Sequence, residues 1–240
     1  MVHGFLYDPT PLRRFRGDVA AIRPRTACSI KRASAFALLA IACLLPLFQA
    51  KAQDSDFARP ERHFSVERPA DLSAADALVV YDKVRDRMVA GYRLSHDPTA
   101  GTFVEWRRYN SAPYRSATHG QRFVNNYANM TAKAYGRYEE AGPMPVGSIL
   151  AKDSFAVTQR GDVFTGPLFL MEKMSPGFRP DAHDWRYTMI MPDGSLFGVT
   201  NGEGSERVEF CITCHEAVDE DQHQMFFVPD EYRVEFLNLR

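Results

Sequence analysis

Two cysteines and a histidine lie close together near the C-terminus, in the run Cys211-Ile212-Thr213-Cys214-His215. The spacing is C-x-x-C-H, the pattern at which c-type haem is attached. Residues three apart lie on one face of a helix, so both thiols can add to the two vinyl groups on one porphyrin edge. The imidazole of His215 can then bind the iron as the proximal ligand. The motif therefore predicts one covalently attached haem c per chain, with His215 as the metal ligand.

A C-x-x-C pair also occurs in zinc sites and in redox dithiols. Zinc requires about four ligands, and the chain has no second C-x-x-C pair; His183 and His223 are the histidines that could complete such a site. A redox dithiol typically begins a helix that follows a strand in a βαβ pattern, whereas this pair lies near the C-terminus. Haem attachment is therefore the favoured interpretation.

The N-terminal segment has the composition of an export signal. Seven Arg and Lys residues fall between positions 13 and 32, residues 33–48 are apolar, and Ala50-Lys51-Ala52 matches an A-x-A cleavage site. The apolar run is shorter than the roughly 20 residues of a membrane span; an uncleaved anchor is the alternative. We expect residues 1–52 to be a signal peptide, which predicts a periplasmic protein with no stable membrane span after cleavage. Export agrees with haem c, which is attached outside the bacterial inner membrane.

Charge is distributed unevenly between this segment and the rest of the chain. Residues 1–52 carry 8 Lys and Arg and 2 Asp and Glu, whereas the other 188 residues carry 21 and 28, a net charge of −7. An acidic domain argues against nucleic acid as a partner. Cleavage would also remove Cys28 and Cys43. The two remaining cysteines would both be consumed by haem, and no disulfide is predicted.

The remaining chain predicts a flexible lead-in, residues 53–70, and a single domain, residues 71–240. Apolar residues three or four apart predict helices at 71–91 and 121–140, and a haem-attachment helix at 208–217. Alternating segments and turn signals predict an antiparallel sheet. The expected class is α+β, with two N-terminal helices, a sheet and a C-terminal haem-attachment helix. The candidate strands are 102–106, 148–158, 162–174, 185–191, 195–200, 225–228 and 232–236.

Three further motifs precede the haem motif in order. Residues 147–153 read G-S-I-L-A-K-D and fit the pattern G-[ST]-hydrophobic-x-x-K-[DE]; residues 184–187 read D-W-R-Y, and residues 192–194 read P-D-G. In this order, over roughly residues 120–236, the chain resembles the cytochrome P-460 family. One departure is the run 144–147, M-P-V-G, where a P/R-D-G turn is usual in the family.

The resemblance implies a β-rich, homodimeric periplasmic cytochrome with a five-coordinate haem. Enzymes of this family oxidise hydroxylamine to nitrogen oxides, and in them a lysine is cross-linked to a haem meso carbon. The matching residue here is Lys152. The related cytochrome c′-beta shares the fold without the cross-link and binds nitric oxide or carbon monoxide.

Lys152 can also be considered from its own surroundings. Alternation along a strand at 148–158 places Lys152 on a face with small or apolar residues, and Asp153 on the opposite face. A desolvated lysine has a lowered pKa, and the neutral amine is its nucleophilic form. Lys152 is therefore the candidate catalytic and cofactor-binding lysine. The alternatives are an ordinary exposed lysine at this position, or Lys173 on the next strand in the haem-adjacent role.

Three functions are compatible with these residues, and the sixth position of the iron separates them. A vacant position suits an enzyme acting on hydroxylamine or nitric oxide, or a non-catalytic gas-binding cytochrome; a sixth protein ligand suits an electron carrier. The resemblance favours vacancy. The expected partners are a small nitrogen-containing ligand, a periplasmic electron-transfer protein and a second copy of the chain. Loose candidates for the pocket are Phe155, Phe164, Phe169, Asp153 and Glu172, and for a sixth ligand His183 and His223.

Overall fold

The computed structural model describes residues 66–218 and 220–235; the predicted signal peptide and residues 53–65 of the lead-in lie outside them. Within the described residues eight strands form one antiparallel sheet in the order β1-β3-β4-β6-β7-β8, in which β2 also pairs with β3 and β5 with β4. The strands are β1 (Arg107–Arg108), β2 (Tyr114–Ser116), β3 (Arg122–Ala128), β4 (Ile149–Val157), β5 (Val163–Thr165), β6 (Leu168–Lys173), β7 (Trp185–Ile190) and β8 (Leu196–Val199).

Helical segments cover both faces of this sheet. Helix α1 (Ala74–Tyr92) packs with one hydrophobic cluster, and α3 (Glu209–His215) packs with the cluster on the other face. The predicted antiparallel, sheet-rich α+β class is confirmed. The shorter elements are α2 (Thr99–Thr102) and 3-10 turns at Phe103–Glu105, Lys133–Glu140, Pro180–Ala182, Ser205–Arg207, Glu220–Gln222 and Asp230–Tyr232.

The N-terminal cap and the spacing of apolar residues explain why residues 74–92 form helix α1. The Ser73 hydroxyl accepts a hydrogen bond from the Asp76 amide and satisfies one of the free N–H groups at the helix start. The residues that α1 buries recur every three or four positions, which places them on one stripe against the sheet. They are Ala77, Tyr81, Val84, Met88, Val89 and Tyr92.

The end of the predicted lead-in is tied to the sheet. The Ala70 amide donates to the Val157 carbonyl at 2.7 Å, and Pro69 forms an isolated bridge with Thr158. Residues 66–70 thus enter α1 from a fixed position beside β4.

Strand β4 lies inside the sheet and is buried on both faces. Ala151 and Phe155 pack in the α1 cluster, whereas Leu150 packs in the α3 cluster. Asp153 also faces α1, where its carboxylate accepts hydrogen bonds from Tyr81 at 2.6 Å and from Asn125 at 2.9 Å. Burial raises the pKa of Asp153 to about 6, and the two donors oppose that rise.

The helix predicted at 121–140 is wrong. Residues 122–128 form strand β3, and Lys133–Glu140 is a 3-10 segment. All seven residues of β3 are buried, so the strand shows no polar alternation, and its apolar spacing fits a helix equally well. Pairing with β4 along six residues decides the outcome in favour of the strand.

The strands predicted at 102–106, 225–228 and 232–236 are also wrong, and a fourth is only partly right. Residues 102–106 complete α2 and form a 3-10 turn. This turn buries the ring of Phe103 against Tyr92 and Tyr127. Residues 225–228 form no strand, and within 232–235 Arg233 makes an isolated bridge with Asn110. The predicted strand at 162–174 is divided into β5 and β6 by residues 166 and 167, where proline lacks an amide donor.

No helix found between residues 66 and 218 or 220 and 235 is both long and apolar enough to cross a membrane.

The raised pKa of Asp153 gives a stability prediction. The folded state holds the Asp153 proton more tightly than the unfolded chain does. The stability that the protonated carboxyl contributes is therefore complete below pH 4 and is lost as pH rises through about 6. Asp153→Asn mimics the neutral acid and removes this loss. The unfolding free energy of the variant minus that of the wild type should therefore rise by up to about 3 kcal/mol between pH 4 and pH 7.

The measurement is urea unfolding at both pH values. Asp86→Asn on the exposed face of α1 controls for the loss of one charge. A difference that stays constant with pH would contradict the prediction.

Candidate functional site

Helix α3 places the C-x-x-C-H motif against the face of the sheet opposite α1. Ile212 is buried in the core beneath the helix, and both cysteines line the cavity described below. The guanidinium of Arg179 holds the start of α3 through two hydrogen bonds to Glu209, at 3.2 and 3.0 Å. Bidentate arginine–carboxylate pairs constrain geometry as well as charge, so the motif is held from the loop that precedes β7.

A cavity of about 830 Å³, including its opening to solvent, lies between α3 and the sheet. Both motif cysteines and the motif histidine line it. The other lining residues come from β3, β4, β6, β7, α3, the 3-10 segment Lys133–Glu140 and two loops: Thr118, His119, Asn126, Tyr127, Tyr135, Leu150, Ala151, Lys152, Phe169, Leu170, Met171, Tyr187, Thr188, Phe210 and Phe226.

The two cysteines are free thiols and partly buried. Burial raises the pKa of Cys211 to about 12, and the neighbouring Cys214 adds to that rise. The Cys211 thiol is therefore neutral over the physiological range, and both sulfurs lie on the wall of one cavity.

His215 is buried, and its orientation is defined by a hydrogen bond of 2.6 Å between Nδ1 and the Gln224 carbonyl oxygen. A carbonyl can only accept, so Nδ1 carries the proton and Nε2 carries the lone pair. The rings of Tyr187 and Phe226 meet the imidazole edge-on, at 5.1 and 5.0 Å. Burial, helped by the charge of Lys152, lowers the pKa of His215 to about 3. The imidazole is therefore a neutral, oriented nitrogen ligand.

Lys152 lies in the middle of β4 and lines the same cavity. Its neighbours across the sheet are Asn126 on β3 and Phe169 on β6. Burial lowers the pKa of Lys152 to about 8, and Cys214 partly opposes that shift. About a tenth of the Lys152 amine is thus unprotonated at pH 7, far more than for an ordinary lysine.

The structure brings the cysteines, His215 and Lys152 together, and it separates several other candidates from them. Asp153 faces α1, and Glu172 pairs with Arg186. His183 and His223 have ring centroids 6.2 Å apart, and neither lines the cavity. Of the three phenylalanines suggested by the sequence, Phe169 lines the cavity, Phe155 belongs to the α1 core and Phe164 is half exposed.

Two rows of side chains cross the cavity face of the sheet. Leu150, Met171 and Tyr187 form the first row, whose Tyr187 meets the His215 ring. Lys152 and Phe169 belong to the second row, which lies about 7 Å further along the strands. Moving away from His215 along the sheet therefore leads past Tyr187 to Lys152 and Phe169.

His119 lies beyond the second row and was not found from the sequence. Its ring meets Phe169 edge-on at 4.9 Å, and its Nδ1 is 2.9 Å from the Ser116 hydroxyl. Asn126 and Tyr135, which are hydrogen bonded to each other at 2.7 Å, add further polar groups to the lining. No sequence motif identifies these residues, because strand pairing and the turn before β3 bring them to the cavity.

The residues present fit a c-type haem. The site offers two thiols on one wall, a neutral imidazole whose Nδ1 is occupied, and a lining that is mainly apolar. Across residues 66–218 and 220–235, no group of three or more His, Cys, Asp or Glu side chains could hold a metal ion.

No protein-family model matches the chain, and no curated protein matches it either.

The lowered pKa of Lys152 can be measured in the haem-free chain. Its amine should titrate near pH 8, with the ammonium form dominant below that value and the neutral amine above it. Reductive ¹³C-methylation followed by NMR titration reports this value, and the spectrum of Lys152→Arg assigns the resonance. Titration of Lys152 near the ordinary lysine value of 10.5 would contradict the prediction.

Proposed function

We propose that the chain is an exported mono-haem c-type cytochrome of the cytochrome P-460 type that oxidises a small nitrogen compound, hydroxylamine or nitric oxide. The observation that carries this proposal is the C-x-x-C-H helix lining a mainly apolar cavity, with His215 presented as a neutral ligand. Cys211 and Cys214 would form the two thioether bonds, and His215 Nε2 would bind the iron. When bound, the haem would supply a redox-active iron that binds the nitrogen compound and passes its electrons on to a periplasmic electron-transfer protein.

Lys152 would adjoin the porphyrin edge. The amine belongs to the row of side chains beyond the one that packs on His215, and about 7 Å separates such rows. Its lowered pKa makes the neutral, nucleophilic amine available. These two features support Lys152 as the residue that bonds to the haem or takes up a proton from the substrate.

The far end of the cavity would hold the substrate. Phe169 presents an apolar ring there, which excludes water and favours a small neutral ligand over an anion. His119, anchored by Ser116, is a titratable group at the same end and can accept a proton that the substrate releases.

One observation favours a second candidate function, an electron carrier with a six-coordinate haem. His119 lines the cavity beyond Phe169, on the side away from His215, and an imidazole is a common iron ligand. A sixth ligand at this position would close the site to substrates. His119→Ala separates the two functions: the enzyme keeps a high-spin spectrum with or without His119, whereas the carrier changes from low spin to high spin.

Haem attachment is tested by intact mass after periplasmic expression with the haem c maturation machinery. The exported chain should gain the mass of one haem and absorb visible light. Cys211→Ala and Cys214→Ala should each lower the yield of attached haem, and the double variant should carry none covalently. A purified wild-type chain with the mass of its amino acids alone would exclude the proposed function.

The role of Lys152 is tested against Lys173, the alternative lysine, whose Nζ donates to the His183 carbonyl outside the cavity. Lys152→Ala should lower the rate of hydroxylamine oxidation at least about tenfold, as expected when a proton-transfer group is lost. It should also remove any red shift of the ferrous Soret band. Lys173→Ala should leave both unchanged.

A Lys152→Ala variant with wild-type rate and spectrum would exclude this role for Lys152. Peptide mass after digestion reports directly whether Lys152 is bonded to haem. Binding of nitric oxide without any hydroxylamine turnover would favour the gas-binding alternative.

A further inference from the structure

The carbonyl that orients His215 comes from a residue in an unusual backbone conformation. Gln224 has φ +64°, and the preceding His223 has φ +49°. The left-handed region is unfavourable for residues with a Cβ atom, and it persists only where the surroundings hold it. This pair of residues turns the Gln224 carbonyl toward Nδ1 of His215, at 2.6 Å.

The surroundings of Gln224 provide that hold. Its side-chain Oε1 accepts a hydrogen bond from the Tyr187 hydroxyl at 2.9 Å, and its Nε2 donates to the Asp181 carbonyl at 3.2 Å. The indole of Trp185 donates to the His223 carbonyl at 3.0 Å. Trp185 and Tyr187 are both buried on β7, so the turn is anchored to the sheet.

The two side-chain bonds require a primary amide. The Tyr187 hydroxyl, as paired here, needs an acceptor, and the Asp181 carbonyl needs a donor. A glutamine offers both at one end of its side chain. Leucine or methionine of similar length offers neither, and ionised glutamate offers only acceptors.

We propose that Gln224 is the positioning residue of the proximal histidine and sets the electron-donating strength of His215 toward the iron. The inference rests on the haem attachment of the proposed function. A firm Nδ1–H···O=C bond makes Nε2 more basic, and a more basic ligand stabilises ferric over ferrous iron. Gln224 thereby lowers the reduction potential and strengthens the bond between the iron and His215.

Gln224→Leu tests this in the haem-loaded protein. Loss of both anchors releases the turn and weakens the hydrogen bond to His215. We expect a rise in midpoint potential and a lower iron–histidine stretching frequency in the resonance Raman spectrum of the ferrous form. The matched control is Gln222→Leu, two residues away. Within the described residues the Gln222 side chain makes no hydrogen bond, so this variant should change neither the midpoint potential nor the stretching frequency.

Tyr187→Phe provides a second test that keeps the ring packed on His215 and removes one anchor. It should shift both readouts in the same direction, by less than Gln224→Leu. If the Gln224→Leu variant is produced without bound haem, the potential and stretching frequency of the Tyr187→Phe variant decide the test. Haem-loaded variants with the potential and stretching frequency of the wild type overturn the inference, whereas a wild-type chain without haem overturns the proposed function instead.

Discussion

Strand β4 lies within the sheet with both faces covered, and this constraint organises the domain. Successive side chains of a strand point to opposite faces, so neighbouring residues on β4 must suit two different environments. Asp153 faces α1 and accepts hydrogen bonds from Tyr81 and Asn125. Lys152, next to it in sequence, lines the cavity beneath α3. Two oppositely charged groups are thus separated by the sheet itself, and each is desolvated on its own side.

The candidate site combines a local part with an assembled part. The two cysteines and His215 belong to seven residues of one helix, and their spacing alone places them on neighbouring positions of the cavity wall. Apart from Phe210 of α3, the rest of the lining comes from four strands, one 3-10 segment and two loops. Burial on that surface has a common electrostatic consequence, because it favours the neutral forms of Lys152, His215 and Cys211. His215 and Cys211 are therefore neutral near pH 7, whereas Lys152 is still mostly protonated there.

Helix α1, with one exposed face, was predicted correctly from the sequence, whereas strand β3, buried on both faces, was not. Helix α1 has an exposed face and a capped start, and its pattern identified it. Strand β3 is buried on both faces, and a fully buried strand cannot be distinguished from a helix by periodicity. Segment 225–228 buries Met225 and Val228 without pairing to any strand, so apolar composition there indicated burial and not a strand. The alternation predicted along β4 was correct, because small and apolar residues flank Lys152 and Asp153 on their respective faces.

The sequence by itself determined the C-x-x-C-H helix, because three-residue spacing on a helix fixes which side chains share a face, whatever the rest of the chain does. It also determined the alternation of β4. Only the tertiary structure decided which residues meet that helix across the cavity. His119, Asn126 and Gln224 are separated from one another and from Lys152 in the chain, and strand register and two left-handed residues bring them to the site. Such contacts depend on which strands pair and in what register, and local composition does not encode that choice.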